Sequence, residues 1–229
     1  MSTQIPSVRS TVQQTIHLHP GYVRMKRFID IAFTLLIMPL LLLVGVIVTI
    51  LIRLDSPGPT FFRQKRIGQN GREFEMLKFR SMYVNADSGI HQESIEKYMR
   101  GEKLHTDATN KLSYKKVNDP RITRIGRVIR KLSVDELPQF WNVLKGDMTL
   151  VGPRPPLHYE VELYNSYDWL RLSGKPGLTG PWQVYGRSRV TFAEMVEMDI
   201  NYLRKSSTCY DLKLIVLTLP VMIFARGGA

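Results

Sequence analysis

The chain has 229 residues, 44% of them hydrophobic, which is enough apolar material for a core and argues against disorder over most of its length. Its 32 lysines and arginines outnumber 20 aspartates and glutamates, and the net charge of +12 predicts an anionic partner: nucleic acid, a membrane surface or a phosphorylated substrate. Cys209 is the only cysteine, which excludes an internal disulfide and a cysteine-rich zinc site and suits a reducing cytoplasmic environment.

The N-terminal quarter of the chain divides into a polar part and a membrane part. Residues 1–22 are predicted to form a loose polar extension. Residues 31–52 then form a run of 22 residues without a charge, which is long enough to reach across a bilayer. This run starts too late and continues too long for a cleavable signal peptide. The sequence therefore predicts a membrane helix over residues 23–54.

The topology of this helix depends on a proline and on the flanking charges. Pro39 lies inside the apolar run, where it removes a helical hydrogen bond and favours a bend. Basic residues stand on both sides, with Arg24 and Arg27 before the run and Arg53 and Arg63 after it. Because basic flanks stay on the cytoplasmic side, a re-entrant hairpin that enters and leaves on that side fits better than a straight span, which remains the alternative.

Residues 55–229 are predicted to form a cytoplasmic, membrane-associated domain. Asn70-Gly71 lies between two short strand-like runs and predicts a β-hairpin with a type I′ turn. A basic amphipathic helix is predicted after Asp119-Pro120, and it faces either solvent or anionic lipid. Its apolar stripe comprises Ile122, Ile125, Val128 and Ile129. The apolar run 212–224, broken by Pro220, is too short to span and is predicted to lie in the membrane interface or to pack on the core.

Two adjacent carboxylates, Asp135 and Glu136, stand in a stretch that is otherwise mostly apolar and basic. Ser133 and Glu136 fit the S-x-x-E capping box, which is a purely structural interpretation and leaves Asp135 unexplained. In the first turn of a following helix, the backbone N–H groups would instead keep Asp135 ionised. An ionised aspartate can attack phosphorus, and a glutamate offers the hard oxygen ligand that Mg²⁺ takes together with substrate phosphates.

Two turns rich in glycine and proline present arginines. Arg154 lies in the turn over residues 147–156, while Arg187 and Arg189 lie in the turn over residues 175–190. Guanidinium groups on stiff turns suit bidentate binding of phosphate oxygens, although any one of them alone would be interpreted as a solvated loop charge. Together with a membrane helix and paired carboxylates, they favour a phosphate-handling site.

Several long motifs, in this order along the chain, resemble those of the bacterial sugar transferases. The motifs are KRFID, KFRSM, IRKLSVDELPQFWNVLKGDM, VGPRP and PGLTGPWQVYGR. The chain is similar to the small monotopic polyprenyl-phosphate hexose-1-phosphate transferases, which begin exopolysaccharide and glycoconjugate assembly. The resemblance covers roughly residues 22–228 in collinear order.

This resemblance implies a fold, a location and a reaction. The fold would be α+β and mostly helical, with a re-entrant membrane helix, interfacial helices and a small β-hairpin. The chain would lie in the bacterial inner membrane with its catalytic domain on the cytoplasmic face. Its partners would be a UDP-hexose, polyprenyl (undecaprenyl) phosphate and membrane lipids, with no nucleic acid and with homo-oligomers possible.

The resemblance also implies residue roles. Asp135 would attack the β-phosphate of the UDP-sugar, release UMP and carry the sugar-phosphate until polyprenyl phosphate accepts it. Glu136 would act with Mg²⁺. Arg130 and Arg154 match the arginines near the phosphate, and the same role extends to Lys78, Arg80 and Arg187.

The sequence departs from the family pattern at the membrane break and leaves other functions open. Met38-Pro39 replaces Ser-Pro, so the hydroxyl that would satisfy backbone groups at the bend is lost. One alternative function is a non-catalytic basic membrane module that binds anionic polymers, and another is a membrane phosphatase. The sugar is not readable from sequence, although residues 182–228 are similar to members that use glucose or galactose.

Overall fold

The computed structural model describes residues 15–84, 89–100, 119–186 and 190–224, and these parts are mostly helical with two small sheets. In chain order the elements are α1 (Pro20–Asp55), β1 (Phe61–Ile67), β2 (Glu73–Phe79), α2 (Gly89–Met99), α3 (Arg124–Lys131), α4 (Gln139–Lys145), β3 (Thr149–Val151), α5 (His158–Glu162), β4 (Gly177–Thr179), α6 (Phe192–Arg204) and α7 (Thr208–Phe224). Short 3-10 turns lie at Val134–Glu136 and Asp168–Ser173. The predicted class, mostly helical α+β, is confirmed.

Helix α1 is the one helix in the described ranges that is long and apolar enough to cross a membrane. It begins after His19, whose ring nitrogen accepts from the N–H of Gly21, and it runs through Pro39 without interruption. Its middle is exposed and apolar. The exposed side chains there are Leu35, Leu36, Leu40, Leu42, Leu43, Val46 and Ile47. A long apolar helix is therefore confirmed, whereas the predicted re-entrant hairpin is not.

Both halves of α1 contact the rest of the protein. In the first half, Arg27 donates to the carbonyls of Val143 and Leu144 at 2.5 and 2.6 Å, at the C-terminal end of α4. In the second half, Val48 and Ile52 are buried in one hydrophobic cluster with Phe79 and Ile129. The exposed middle of α1 therefore lies between two attachments to the same domain.

The predicted hairpin is present as an antiparallel pair that runs from Phe61 opposite Phe79 to Ile67 opposite Glu73. Asn70 and Gly71 both have positive φ, at 56° and 75°, as a type I′ turn requires. The paired strands are joined by five residues, from Gly68 to Arg72, rather than by the two residues of a minimal hairpin. The turn prediction is correct. The loop exceeds two residues because the strand pairing ends at Ile67 and Glu73, and Gly68 and Arg72 are joined by a backbone hydrogen bond outside the strands.

Helix α3 begins at Thr123, whose side chain accepts from the N–H of Gly126 at 2.9 Å. Ile129 is buried, but Val128 is 52% exposed, so the predicted apolar stripe is narrower than four residues. Helix α7 contains the whole C-terminal apolar run 212–224 and continues through Pro220. It buries Leu214 in the core and leaves Val216 exposed.

Candidate active site

Asp135 and Glu136 lie in the one-turn 3-10 helix Val134–Glu136, between α3 and α4. Ser133 has a left-handed backbone (φ 56°) and makes no side-chain cap, so the predicted capping box with Glu136 is wrong. Pro138 precedes α4 and has no N–H to donate, so the two carboxylates precede that helix instead of forming its first turn. The left-handed backbone of Ser133 has a conformational free-energy cost of about 1 kcal/mol or more, because the residue is not glycine. Such backbone strain is concentrated at functional sites.

The turn that carries this acidic pair packs directly on α1. Val134 and Leu137, on either side of the pair, join the hydrophobic cluster that contains Val48 and Ile52 of α1. The apolar contacts therefore place Asp135 and Glu136 next to the second half of α1.

Lys78, on β2, donates to Glu136 Oε1 at 2.7 Å. The side chains are 21% and 45% exposed, so this ion pair lies near the surface and not in the core. One oxygen of Glu136 is thus held by a cation.

Arg130 brings a second cation to the acidic pair. Its Nε donates to Ser81 Oγ at 2.7 Å, which fixes the guanidinium at the end of α3. Burial lowers the pKa of Arg130 below its ordinary value, while the negative charges of Asp135 and Asp119 raise it. Because an arginine keeps its proton throughout the physiological range, Arg130 stabilises the ionised form of Asp135.

Arg154 lies in the proline-rich turn after β3, beside the buried Arg66 of β1. Arg66 Nη1 donates to the carbonyl of Pro155 at 2.9 Å and lies 4.0 Å from Glu160 Oε1. Burial and the neighbouring charge of Arg154 lower the pKa of Arg66 to about 10. Glu160, Tyr159 and Glu136 raise this pKa and so offset part of the shift. Arg66 and Arg154 therefore form a positive region next to Glu136.

Arg66 was not among the predicted site residues. From sequence, the basic residues of this strand indicated only a membrane flank, and Arg63 and Lys65 nearby are indeed exposed. Arg66 differs from Arg63 and Lys65 in being buried, and burial on a short strand has no local sequence signal.

Arg80 has a different position from the one predicted. Its guanidinium donates to the carbonyls of Ser56 and Pro57 at 2.6 and 2.8 Å, and the residue is buried. These bonds tie the end of β2 to the chain that leaves α1, so Arg80 holds the framework and not a phosphate in this arrangement. Arg187 and Arg189 lie outside the described residues.

The acidic pair suits Mg²⁺ only in combination with a substrate. In the described ranges, no group of three or more histidine, cysteine, aspartate or glutamate side chains stands close enough to hold a metal ion. Mg²⁺ is commonly bound through one or two carboxylates together with substrate phosphates, and it retains several waters. Glu136 is 45% exposed and so fits that role.

The chain is similar to known proteins over most of its length. The family model described as bacterial sugar transferase matches residues 21–225. Galactosyl transferase CpsE of Streptococcus agalactiae is 47% identical over 89% of this chain and 43% of its own length. Exopolysaccharide production protein ExoY of Rhizobium meliloti is 40% identical over 85% of this chain and 81% of its own.

A third relative carries a name that states a reaction. The undecaprenyl-phosphate galactose phosphotransferase of Salmonella typhimurium is 38% identical over 90% of this chain and 41% of its own length. The chain thus spans less than half of CpsE and of the Salmonella protein, and most of ExoY. The predicted enzyme class, a polyprenyl-phosphate hexose-1-phosphate transferase, agrees with these names. The chain therefore belongs to the bacterial sugar transferase family.

Proposed function

We propose that this protein transfers a hexose-1-phosphate from a UDP-hexose to polyprenyl (undecaprenyl) phosphate, releases UMP, and so begins exopolysaccharide or glycoconjugate assembly. The observation that carries the proposal is the position of Asp135 and Glu136. They lie on one strained turn, with Arg130 near the first and Lys78 bonded to the second. The names of the relatives support the donor and acceptor classes.

The reaction proceeds in two displacements at one phosphorus atom. A carboxylate oxygen of Asp135 attacks the β-phosphorus, the bond from that phosphorus to the bridging oxygen breaks, and UMP leaves with the bond's electrons. An oxygen of the lipid phosphate then attacks the same phosphorus and breaks its bond to Asp135, which becomes a free carboxylate again. Both steps develop negative charge on phosphate oxygens, and nearby guanidinium groups stabilise that charge.

The cations have distinct roles in this scheme. Arg154, next to Arg66, and Arg130 would bind the diphosphate and orient it toward Asp135. Lys78 orients Glu136 through the 2.7 Å ion pair. Glu136 would hold Mg²⁺, which supplies positive charge to the phosphate oxygens of the leaving group.

A lipid acceptor requires a site at the membrane boundary. The exposed apolar middle of α1, between two attachments to the domain, supports a re-entrant helix that dips into the bilayer and returns. The basic residues at both ends favour the cytoplasmic side. The location we propose is accordingly the bacterial inner membrane, with the domain on the cytoplasmic face.

The covalent step is tested with Asp135→Asn, which keeps the shape of the side chain and removes the nucleophile. Purified protein is incubated with UDP-glucose or UDP-galactose, Mg²⁺ and undecaprenyl phosphate, and UMP is measured. We expect the variant to lose UMP release and the phosphosugar adduct that mass spectrometry detects on quenched wild-type protein. Glu162→Gln, an exposed carboxylate change on α5, is the matched control and keeps both. Wild-type turnover by Asp135→Asn would contradict the mechanism.

The topology is tested with single cysteines in a Cys209→Ser background, since Cys209 is exposed and would otherwise react. One cysteine replaces Ser7, before α1, and another replaces Gln64, after it. A re-entrant helix predicts that a membrane-impermeant thiol reagent labels both positions only from the cytoplasmic side. Labelling of the first cysteine from the periplasm would show a straight span instead.

A further inference from the structure

A small, partly open cavity of about 10 Å³ is lined in part by Arg154. Its lining includes the polar side chains of Tyr98, Glu160 and Trp182, and its apolar walls include Phe192 and Met195. A cavity of this size holds about one oxygen atom with its hydrogen, because a single water needs roughly the same space.

Two polar groups of this lining have no hydrogen-bond partner in the described part of the protein. They are Glu160 Oε1 and Trp182 Nε1. The Glu160 side chain is 4% exposed and Trp182 is 8% exposed, so both groups are largely shielded from bulk water. Arg66 Nη1 lies 4.0 Å from Glu160 Oε1, which is beyond hydrogen-bond distance. Buried polar groups are almost always paired, so an unpaired acceptor and an unpaired donor in one cavity indicate a missing ligand.

The chemistry of that ligand follows from the two groups. A carboxylate oxygen only accepts and an indole N–H only donates, so the group that satisfies both must donate to one and accept from the other. A hydroxyl group does so with a single oxygen, which matches the size of the cavity.

The position of the cavity next to Arg154 identifies a source for that hydroxyl. In a UDP-hexose the sugar ring is joined directly to the β-phosphate, so a donor whose phosphate binds Arg154 has its ring beside the cavity. We propose that Glu160 and Trp182 bind one hydroxyl group of the donor hexose and so select the sugar, an inference that rests on the proposed function. The water that would otherwise fill the cavity is displaced by the correct sugar.

Hydrogen bonds to a substrate hydroxyl give strong selection. A donor that lacks the hydroxyl, or points it elsewhere, leaves Glu160 and Trp182 buried and unpaired, and sites of this kind discriminate far better than apolar pockets. UDP-glucose and UDP-galactose differ only in the configuration of one hydroxyl, so they are a suitable pair of probes.

The experiment measures kcat/KM for UMP release with UDP-glucose, UDP-galactose and a set of donors that each lack one ring hydroxyl. The variants are Glu160→Gln and Trp182→Phe, and the control is Glu162→Gln on the same short helix, which is exposed. We expect either variant to change the ratio of kcat/KM between the two donors by about tenfold or more. We also expect one deoxy donor to have a low kcat/KM with the wild type. Glu160→Gln should not lower kcat/KM further for that donor. The control should keep the wild-type ratio.

Two results would overturn the proposal while leaving the proposed function intact. One is an equal loss for every donor, which would mean that the cavity holds a structural water. The other is unchanged kinetics with every donor. A wild-type protein that releases no UMP from any UDP-hexose would instead overturn the proposed function and this inference together. Thermal unfolding shows whether each variant is folded. If Glu160→Gln does not fold, the ratio of kcat/KM between UDP-glucose and UDP-galactose in Trp182→Phe tests the proposal.

Discussion

At the scale of single residues, we expect the ion pair between Lys78 and Glu136 to affect the reaction rate more than the free energy of folding. Half-exposed ion pairs contribute about 1 kcal/mol or less to folding. In the proposed reaction this lysine orients Glu136 and would also bring positive charge near the phosphate on which negative charge develops, and loss of one such group typically costs a factor of about 10² to 10³ in rate.

We therefore expect Lys78→Met to lower kcat for UMP release by about 10²-fold with little change in the melting temperature. Lys78→Arg should restore part of the activity because it keeps the charge. The control is Lys65→Met on the neighbouring strand, which removes a comparable but exposed pair with Glu73 (2.9 Å). A large loss of stability in Lys78→Met, with activity lost only in proportion to unfolded protein, would contradict this role.

Asp119 gives a prediction on pH. Arg121 donates to both carboxylate oxygens, at 2.6–3.0 Å, and these bonds hold the pKa of Asp119 below its ordinary value. A depressed carboxylate pKa contributes stability above the unfolded value and loses it as pH falls through the folded value. The melting temperature should accordingly fall as the pH drops below about 4, the ordinary pKa of an aspartate, and Asp119→Asn should reduce that fall. An identical acid profile in the variant would contradict the assignment.

The sequence identified most of the residues that the structure brings together, and it did so through residue type and motif order. Asp135, Glu136, Lys78, Arg130 and Arg154 lie in one region, although their roles stay predictions. Arg80 shows the limit of this reasoning, because a basic residue next to a motif was assigned to phosphate and instead binds two backbone carbonyls. Which partner a guanidinium finds depends on tertiary contacts that no local pattern encodes.

At the scale of elements, the contact between α3 and Ser81 positions Arg130. A Cβ on Gly126 would overlap the carbonyl oxygen of Ser81, so the helix approaches this backbone at a distance that only glycine allows. The N–H of Thr123 donates to the same oxygen at 3.2 Å, and Arg130 bonds to the Ser81 hydroxyl.

Gly126→Ala should move α3 away from Ser81, lower stability by about 1–3 kcal/mol and reduce activity by displacing Arg130. Thermal unfolding and UMP release test the two effects. Gly45→Ala on α1 is the matched control, because its Cβ would meet only the Phe79 ring at 3.8 Å, an ordinary contact. Equal behaviour of the two variants would exclude a special role for the close approach.

Local signals predicted some elements and missed others. The Asn70-Gly71 turn was found because both residues suit positive φ. The parallel pair of β3 and β4 was not, since each strand has only three residues and the partners, Thr149 and Gly177, are far apart in sequence. The capping box was assigned to Ser133 and Glu136, yet it occurs at Thr191 and Glu194 of α6, because the left-handed backbone at Ser133 prevents capping there.

At the scale of the whole molecule, a buried polar network fastens the first turns of α1 to the domain. Asp211 of α7 accepts from Lys26 at 2.7 Å, from Tyr22 at 2.9 Å and from Tyr202 at 2.6 Å. Tyr202 also lies 3.1 Å from the carbonyl of Val151 on β3, so the network reaches the strand that leads to Arg154.

Asp211→Asn should destabilise the protein by about 3 kcal/mol, because it leaves Lys26, whose side chain is only 14% exposed, without its counter-ion. Denaturant unfolding in detergent measures the loss, and protease cleavage near Tyr22 should increase. Lys145→Met removes a more exposed pair with Asp147 and should change stability by about 0.5 kcal/mol or less. A similarly small effect for Asp211→Asn would contradict a fastening role.

The two attachments of α1 have a consequence for the membrane itself. Its first half is held at α4 and its second half packs beside the turn that carries Asp135. Because the apolar middle is held on both sides, it cannot adjust freely to the depth of the apolar layer that it enters, so a mismatch between the two would strain the contacts around Val134 and Leu137. Turnover should then vary with lipid acyl-chain length, and the enzyme would register the thickness of its host membrane.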